Sequence, residues 1–130
     1  MHSEILNARQ TQLLPLLAQF RREYYLVGGF FRLPSLLQLA AMKAYALGRR
    51  SKWKDYVDLY FLLRDHFKIA DISTAANQLF GELYSEKMFR TQLCYFHDID
   101  YTEAVDYLIP NPPTDEEIKQ LLTEIAMQGV

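Results

Sequence analysis

The stretch 53–67, WKDYVDLYFLLRDHF, most constrains what this chain can fold into. Read as a helix opened by Ser51, it carries Trp53, Tyr56, Val57, Tyr60 and Phe61 on one face, and Leu59, Leu62 and Leu63 fill much of the rest. A helix that is apolar nearly all round is buried, so other elements must cover it on several sides. The chain has 130 residues, 50% hydrophobic and 23% charged, which suits one domain with one core. Five glycines and five prolines, beside nine Tyr and eight Phe, point to helices packed through aromatic rings.

The punctuation along the chain supports that picture. Ser3 opens a helix over 3–22 with Leu6, Leu13, Leu14, Leu17 and Phe20, kinked at Pro15. The stretch 24–33, YYLVGGFFRL, reads as a minor two-stranded β element around Gly28-Gly29, both of which can take the positive φ of a tight hairpin turn. Ser35-Leu36-Leu37-Gln38 is a capping box that starts a helix to about Leu47, stopped at Gly48. Asp71 or Ser73 caps a helix to about Leu83, Ser85 one to about Phe96, and Asp100 or Thr102 a short one to Leu108. The prolines at 110, 112 and 113 force extended chain, and Thr114-Asp115-Glu116-Glu117 is a second capping box whose helix ends near Gly129. The expected architecture is a mainly α bundle of six or seven helices in a single domain, 1–130.

Composition also excludes some functions. One cysteine, Cys94, permits no internal disulfide, and no apolar run approaches the ~20 residues that a bilayer requires. The start MHSEILNARQTQ lacks the features of a signal peptide, so a cytoplasmic location is expected. A formal charge of −2 argues against strong nucleic-acid binding, and the shortness of the apolar runs leads to the expectation of no membrane association.

The densest chemistry lies in 41–60. A helical lysine, Lys43, precedes a basic turn of Arg49, Arg50, Lys52 and Lys54, and Asp55 and Asp58 follow one helical turn apart. A short connection makes the two helices neighbours, so that Lys43 or Arg49 can reach those carboxylates. This set can bind a triphosphate through charge-assisted hydrogen bonds, or it can be an interhelical salt-bridge network, and the residues alone favour the network. Elsewhere, Asp98 and Asp100 read as turn and cap residues, His66 and His97 as too isolated for zinc, and Cys94 as a buried inert thiol.

Residues 35–64, SLLQLAAMKAYALGRRSKWKDYVDLYFLLR, resemble the segment that follows the catalytic sheet in the AbiEii/AbiGii toxin family of nucleotidyltransferases. The onward SEKMFRTQLCYFHDIDYTEAVDYL and TDEEIKQLL are similar to that family's C-terminal helical part, and 24–29, YYLVGG, resembles its first core strand and Gly-Gly turn. The resemblance implies that Lys43 and Arg49 are nucleotide-contacting residues and that Asp55 and Asp58 form the acidic motif after them. It also implies an internal deletion. The family's strand bearing Asp-x-Asp carboxylates, which hold divalent metal, has no counterpart here, because Asp55 is the first aspartate after Gly29. Two readings follow. In the first the chain is a shortened, catalytically inactive nucleotidyltransferase-like module with weak nucleotide affinity, with no metal site or cofactor, self-associating as a homodimer and with a cognate antitoxin as a further partner. In the second it is an active toxin that uses Mg²⁺ and a nucleoside triphosphate to transfer a nucleoside monophosphate to RNA or protein, completed by Asp98 and Asp100 or by a partner chain.

Overall fold

A computed structural model of the chain describes residues 34–129. The expected helix over 3–22 and the β element over 24–33 lie outside the described residues. Among the described residues there are five α-helices, α1 (Leu36–Leu47), α2 (Trp53–Asp65), α3 (Ile69–Phe80), α4 (Glu86–Leu93) and α5 (Asp115–Met127), with a 3-10 turn over Gly81–Leu83 and no strand.

Both capping boxes form. Ser35 Oγ accepts from Gln38 N–H at 3.1 Å while Gln38 Oε1 accepts from Ser35 N–H at 2.9 Å. Thr114 Oγ1 and Glu117 Oε1 make the same exchange at 3.1 and 2.8 Å. Each box satisfies two backbone donors that a helix start would otherwise leave orphaned. At the other end of α5, Arg90 donates to the carbonyls of Ala126 and Gln128 at 2.9 and 2.8 Å. That guanidinium stitches α4 to α5 and covers two orphan acceptors at once.

Four boundaries differ from the sequence reading. α2 begins at Trp53, and Lys52 rather than Ser51 holds the capping position without a side-chain cap. The end is fixed from a distance: Trp53 N–H donates to Asp100 O at 3.0 Å and Asp100 N–H to Ser51 O at 2.7 Å, a single parallel bridge between Lys52 and Asp100. α3 begins at Ile69, which places Asp71 in its first turn, where its carboxylate accepts from Lys68 N–H at 2.9 Å. Ser73 is not a cap; it is buried and shares a 2.8 Å hydrogen bond with Tyr84 OH. α3 stops at Gly81, whose φ of 57° a side chain would resist, and α4 stops at Cys94, short of Phe96.

The expected helix over 100–108 is absent. Asp100 Oδ1 accepts instead from Thr102 N–H at 2.9 Å and from its hydroxyl at 2.6 Å, the turn that these side chains make when no helix follows. Beyond it Glu103, Val105, Tyr107 and Ile109 are half-buried while Thr102, Ala104, Asp106 and Leu108 are exposed. That period of two is the signature of extended chain lying on a core. With this helix gone, the described part holds one helix fewer than the sequence suggested.

α2 sits at the centre. Tyr56, Leu59, Phe61 and Leu62 are fully buried, and Val57, Trp53 and Tyr60 nearly so. α1 packs against α2, α3 and α4, while α5 packs against α2 and α4. Val105, Tyr107 and Ile109 close the core on a further side. Among the described residues no helix is long and apolar enough to cross a membrane.

Candidate functional site

The turn 48–52 folds α1 back onto α2 and brings the charged residues of both together. Lys43, buried in α1, places Nζ 3.0 Å from Asp55 Oδ1 and 3.1 Å from Asp58 Oδ2. Arg50 closes on the same Asp55, with Nε 2.9 Å from Oδ2 and an Nη 3.3 Å from Oδ1, a two-point fork. Two cations therefore face two carboxylates, and both carboxylates are almost wholly shielded from solvent. The interhelical network favoured from the residues is present. Its second cation is Arg50, whereas Arg49 does not reach the carboxylates.

The two aspartates are treated differently. Asp55 accepts three hydrogen bonds. Asp58 has the charge of Lys43 beside Oδ2 but a geometry too skewed for a hydrogen bond, and Oδ1 has no partner either. Burial pushes its carboxyl up to about 6, against the pull of Lys43 and with the like charge of Asp55 adding to the rise. Burial also draws the Lys43 ammonium down, but Asp58 and Asp55 outweigh it and hold Lys43 above its ordinary value. Nearby, Tyr107 points a buried hydroxyl with no hydrogen-bond partner into the core, and burial pushes it up to about 12. Asp58 is among the charges that act on it. Sequence spacing did not disclose Tyr107, because it arrives from the extended segment far along the chain.

A pH dependence follows from Asp58. Its folded-state pKa of about 6 lies above the ~4 of an unfolded aspartate, so the folded chain binds the extra proton more tightly. The corresponding stabilisation is complete below about pH 4 and is lost as pH rises through 6. The expected result is that Asp58→Asn removes a fall in stability, on the order of 2 kcal/mol, that the unaltered chain shows between those limits. Urea unfolding at a series of pH values measures it, and parallel profiles for the two proteins would contradict it.

The remaining members of the basic turn are spread out. Lys52 pairs with Glu103 at 2.8 Å, which holds that carboxyl below its usual range, and both groups are more than a third exposed. Lys54 is half-buried and acts on the charges of Asp58 and Glu103. Arg49 is exposed, with its guanidinium 3.6 Å from the centre of the Tyr45 ring and Nη1 donating to Tyr45 O at 3.3 Å. The other face of the Tyr45 ring is stacked on Phe80 at 3.9 Å.

Asp98 and Asp100 are both exposed. Asp98 adopts a φ of 58° in a turn and lies 3.5 Å from Tyr95 OH, while Asp100 is occupied by Thr102. His66 has a buried Nε2 without a partner, and His97 is exposed beside Tyr95. Cys94 is half-buried rather than buried, donates to Arg90 O at 3.4 Å, and burial pushes its thiol up. Among the described residues no group of three or more His, Cys, Asp or Glu side chains is arranged to hold a metal ion.

The family profile of the nucleotidyl transferase AbiEii toxin, Type IV TA system, matches residues 8–128. No curated protein and no solved structure matches the chain.

Proposed function

The chain belongs to the AbiEii nucleotidyl transferase toxin family, and from that premise we propose that it is a catalytically inactive, cytoplasmic, nucleotidyltransferase-like helical module. It keeps the family's helical hairpin as an internal clasp and holds triphosphates only weakly at the basic turn. The observation that carries this reading is the state of Lys43, whose ammonium is enclosed between Asp55 and Asp58 at 3.0 and 3.1 Å. A lysine committed to two buried carboxylates is not free to neutralise phosphate oxygens, and the same pairing takes both carboxylates away from any metal ion. Metal-assisted transfer of a nucleoside monophosphate needs several oxygen ligands converging on Mg²⁺ at the triphosphate. The family's resemblance assigns that task to an Asp-x-Asp strand between the Gly-Gly turn and the first helix of the hairpin, and this chain has no aspartate between Gly29 and Asp55.

The expected result is that purified protein transfers no label from any nucleoside triphosphate to total tRNA or to protein, with either Mg²⁺ or Mn²⁺. Label transfer by the unaltered protein would establish the opposite reading, an active toxin, and its loss or survival in Asp98→Asn with Asp100→Asn would show whether those carboxylates complete the site. We further propose that the module self-associates as a homodimer through the apolar 24–27 segment, YYLV, which lies outside the described residues. Light scattering tests this, since a monomeric mass at tens of micromolar, an order-of-magnitude choice, is the contrary outcome.

A further inference from the structure

We propose that the extended segment 103–109 is the receiving edge of a small sheet, paired within the same chain with the 30–33 arm, FFRL, of the β element expected from the sequence. The inference goes beyond the homodimer proposed above and does not depend on it, because the 24–27 arm keeps its outer edge for a second copy.

The receiving edge lies within the described residues. Val105, Tyr107 and Ile109 rest against the core, with the Tyr107 ring 6.3 Å from that of Phe61, while Ala104, Asp106 and Leu108 are exposed. Among the described residues the main chain of Glu103, Val105, Tyr107 and Ile109 makes no backbone hydrogen bond. An extended chain sends the N–H and C=O of alternate residues to the same side, so these residues form one row of open donors and acceptors. Such a row is a template for a further strand.

Three observations select the occupant. A two-stranded hairpin is marginal alone and needs a third strand or a surface to pack on, and the 103–109 edge supplies both. Charge comes second: 102–109 carries Glu103 and Asp106 and no cation, whereas 21–33 carries Arg21, Arg22 and Arg32 against Glu23. Two copies of 103–109 laid antiparallel about Asp106 would set like charges opposite each other, which disfavours that pairing. Position is the third. Asp58 lies 3.1 Å from Lys43 of α1 and acts on Tyr107, so α1 and 103–109 flank the same stretch of α2. α1 runs back along α2 from there, which puts Pro34, where the 30–33 arm joins the described chain, towards the Phe61 end that Tyr107 covers. With a period of two, Phe31 and Leu33 share the side that meets the core, and Phe30 and Arg32 share the outer side with Asp106.

The test is NMR on the full chain. The expected result is a set of cross-strand contacts between backbone protons of 30–33 and of 104–108, with slow amide exchange at Val105 and Tyr107. A mixture of labelled and unlabelled chains, read for contacts between molecules, is expected to show none of them. Phe31→Pro removes a ladder donor from the middle strand and is expected to speed exchange at Val105 and Tyr107 by about tenfold or more, leaving Leu59 and Leu62 of α2 unchanged. The contacts in the unaltered protein decide the matter even if that variant fails to fold. Contacts to 24–27 in place of 30–33, contacts only between molecules, or exchange at Val105 and Tyr107 as fast as in a free peptide would each overturn the pairing. So would a folded Phe31→Pro chain whose exchange at those amides matches the unaltered protein. A monomeric mass with the contacts present would refute the homodimer alone, and a dimer without them would refute this pairing alone.

Discussion

Lys43→Met is expected to cost about 3–5 kcal/mol of folding stability, the range seen when one partner is removed from a buried ion pair. Methionine fills nearly the same space, so the loss is electrostatic. Asp55 keeps the two-point contact with Arg50, but Asp58 is left charged in the interior with neither an ammonium beside Oδ2 nor a hydrogen bond at Oδ1. Without Lys43 its carboxyl rises further above 6, so the deficit narrows as pH falls and Asp58 takes up a proton. The triple change Lys43→Met, Asp55→Leu, Asp58→Leu removes all three buried charges of the cluster and leaves only Arg50, whose side chain is 42% exposed and can be solvated. It is expected to recover most of the loss, because apolar replacements of buried ion pairs are often neutral or better. Urea unfolding followed by circular dichroism decides the matter. A Lys43→Met protein within about 1 kcal/mol of the original would show that the clasp contributes little.

The parts of this fold that were legible in the sequence are those whose causes lie within a few residues of each other. The Ser35 and Thr114 boxes each join residues three apart, so the residue types alone disclose the helix starts. The grouping of Lys43 with Asp55 and Asp58 was equally accessible, because a turn of five residues leaves few ways for two helices to lie together. What escaped was set from far along the chain. Trp53 receives its cap from the Asp100 carbonyl, which no local pattern announces. Asp100 and Thr102 look like helix caps because the same side-chain-to-backbone bond also makes a free-standing turn. The signal that separates the two was only partial: Val105 and Tyr107 alternate with Ala104 and Asp106, but Leu108 between Tyr107 and Ile109 breaks the pattern. For Arg49 and Arg50 the difficulty is different. They are adjacent, and the path of the chain beyond Gly48, with its ordinary right-handed φ of −74°, decides which one turns inward.

Phe61→Ala should have an effect of similar size through a different cause. Phe61 is fully buried on α2 with Tyr60 edge-on at 5.1 Å between ring centres and Tyr107 tilted at 6.3 Å. Truncation loses the transfer energy of the ring and leaves a cavity that a helix fixed on several sides cannot collapse to fill. For a buried phenylalanine these together come to about 3–5 kcal/mol. The position of Tyr107 makes the expected loss more than local. Its hydroxyl has no partner in the core, so the contact of its ring with Phe61 joins the packing of Val105 and Ile109 and the Lys52–Glu103 pair in offsetting that unsatisfied group. Removing Phe61 is therefore expected to loosen this segment before the helices unfold, whereas Tyr107→Phe deletes the stranded hydroxyl and is expected to hold it more firmly. Hydrogen exchange read residue by residue distinguishes the two, with protection at Val105 to Ile109 lost in Phe61→Ala and raised in Tyr107→Phe. Equal protection in both variants, at reduced global stability for Phe61→Ala, would mean that the segment is anchored elsewhere.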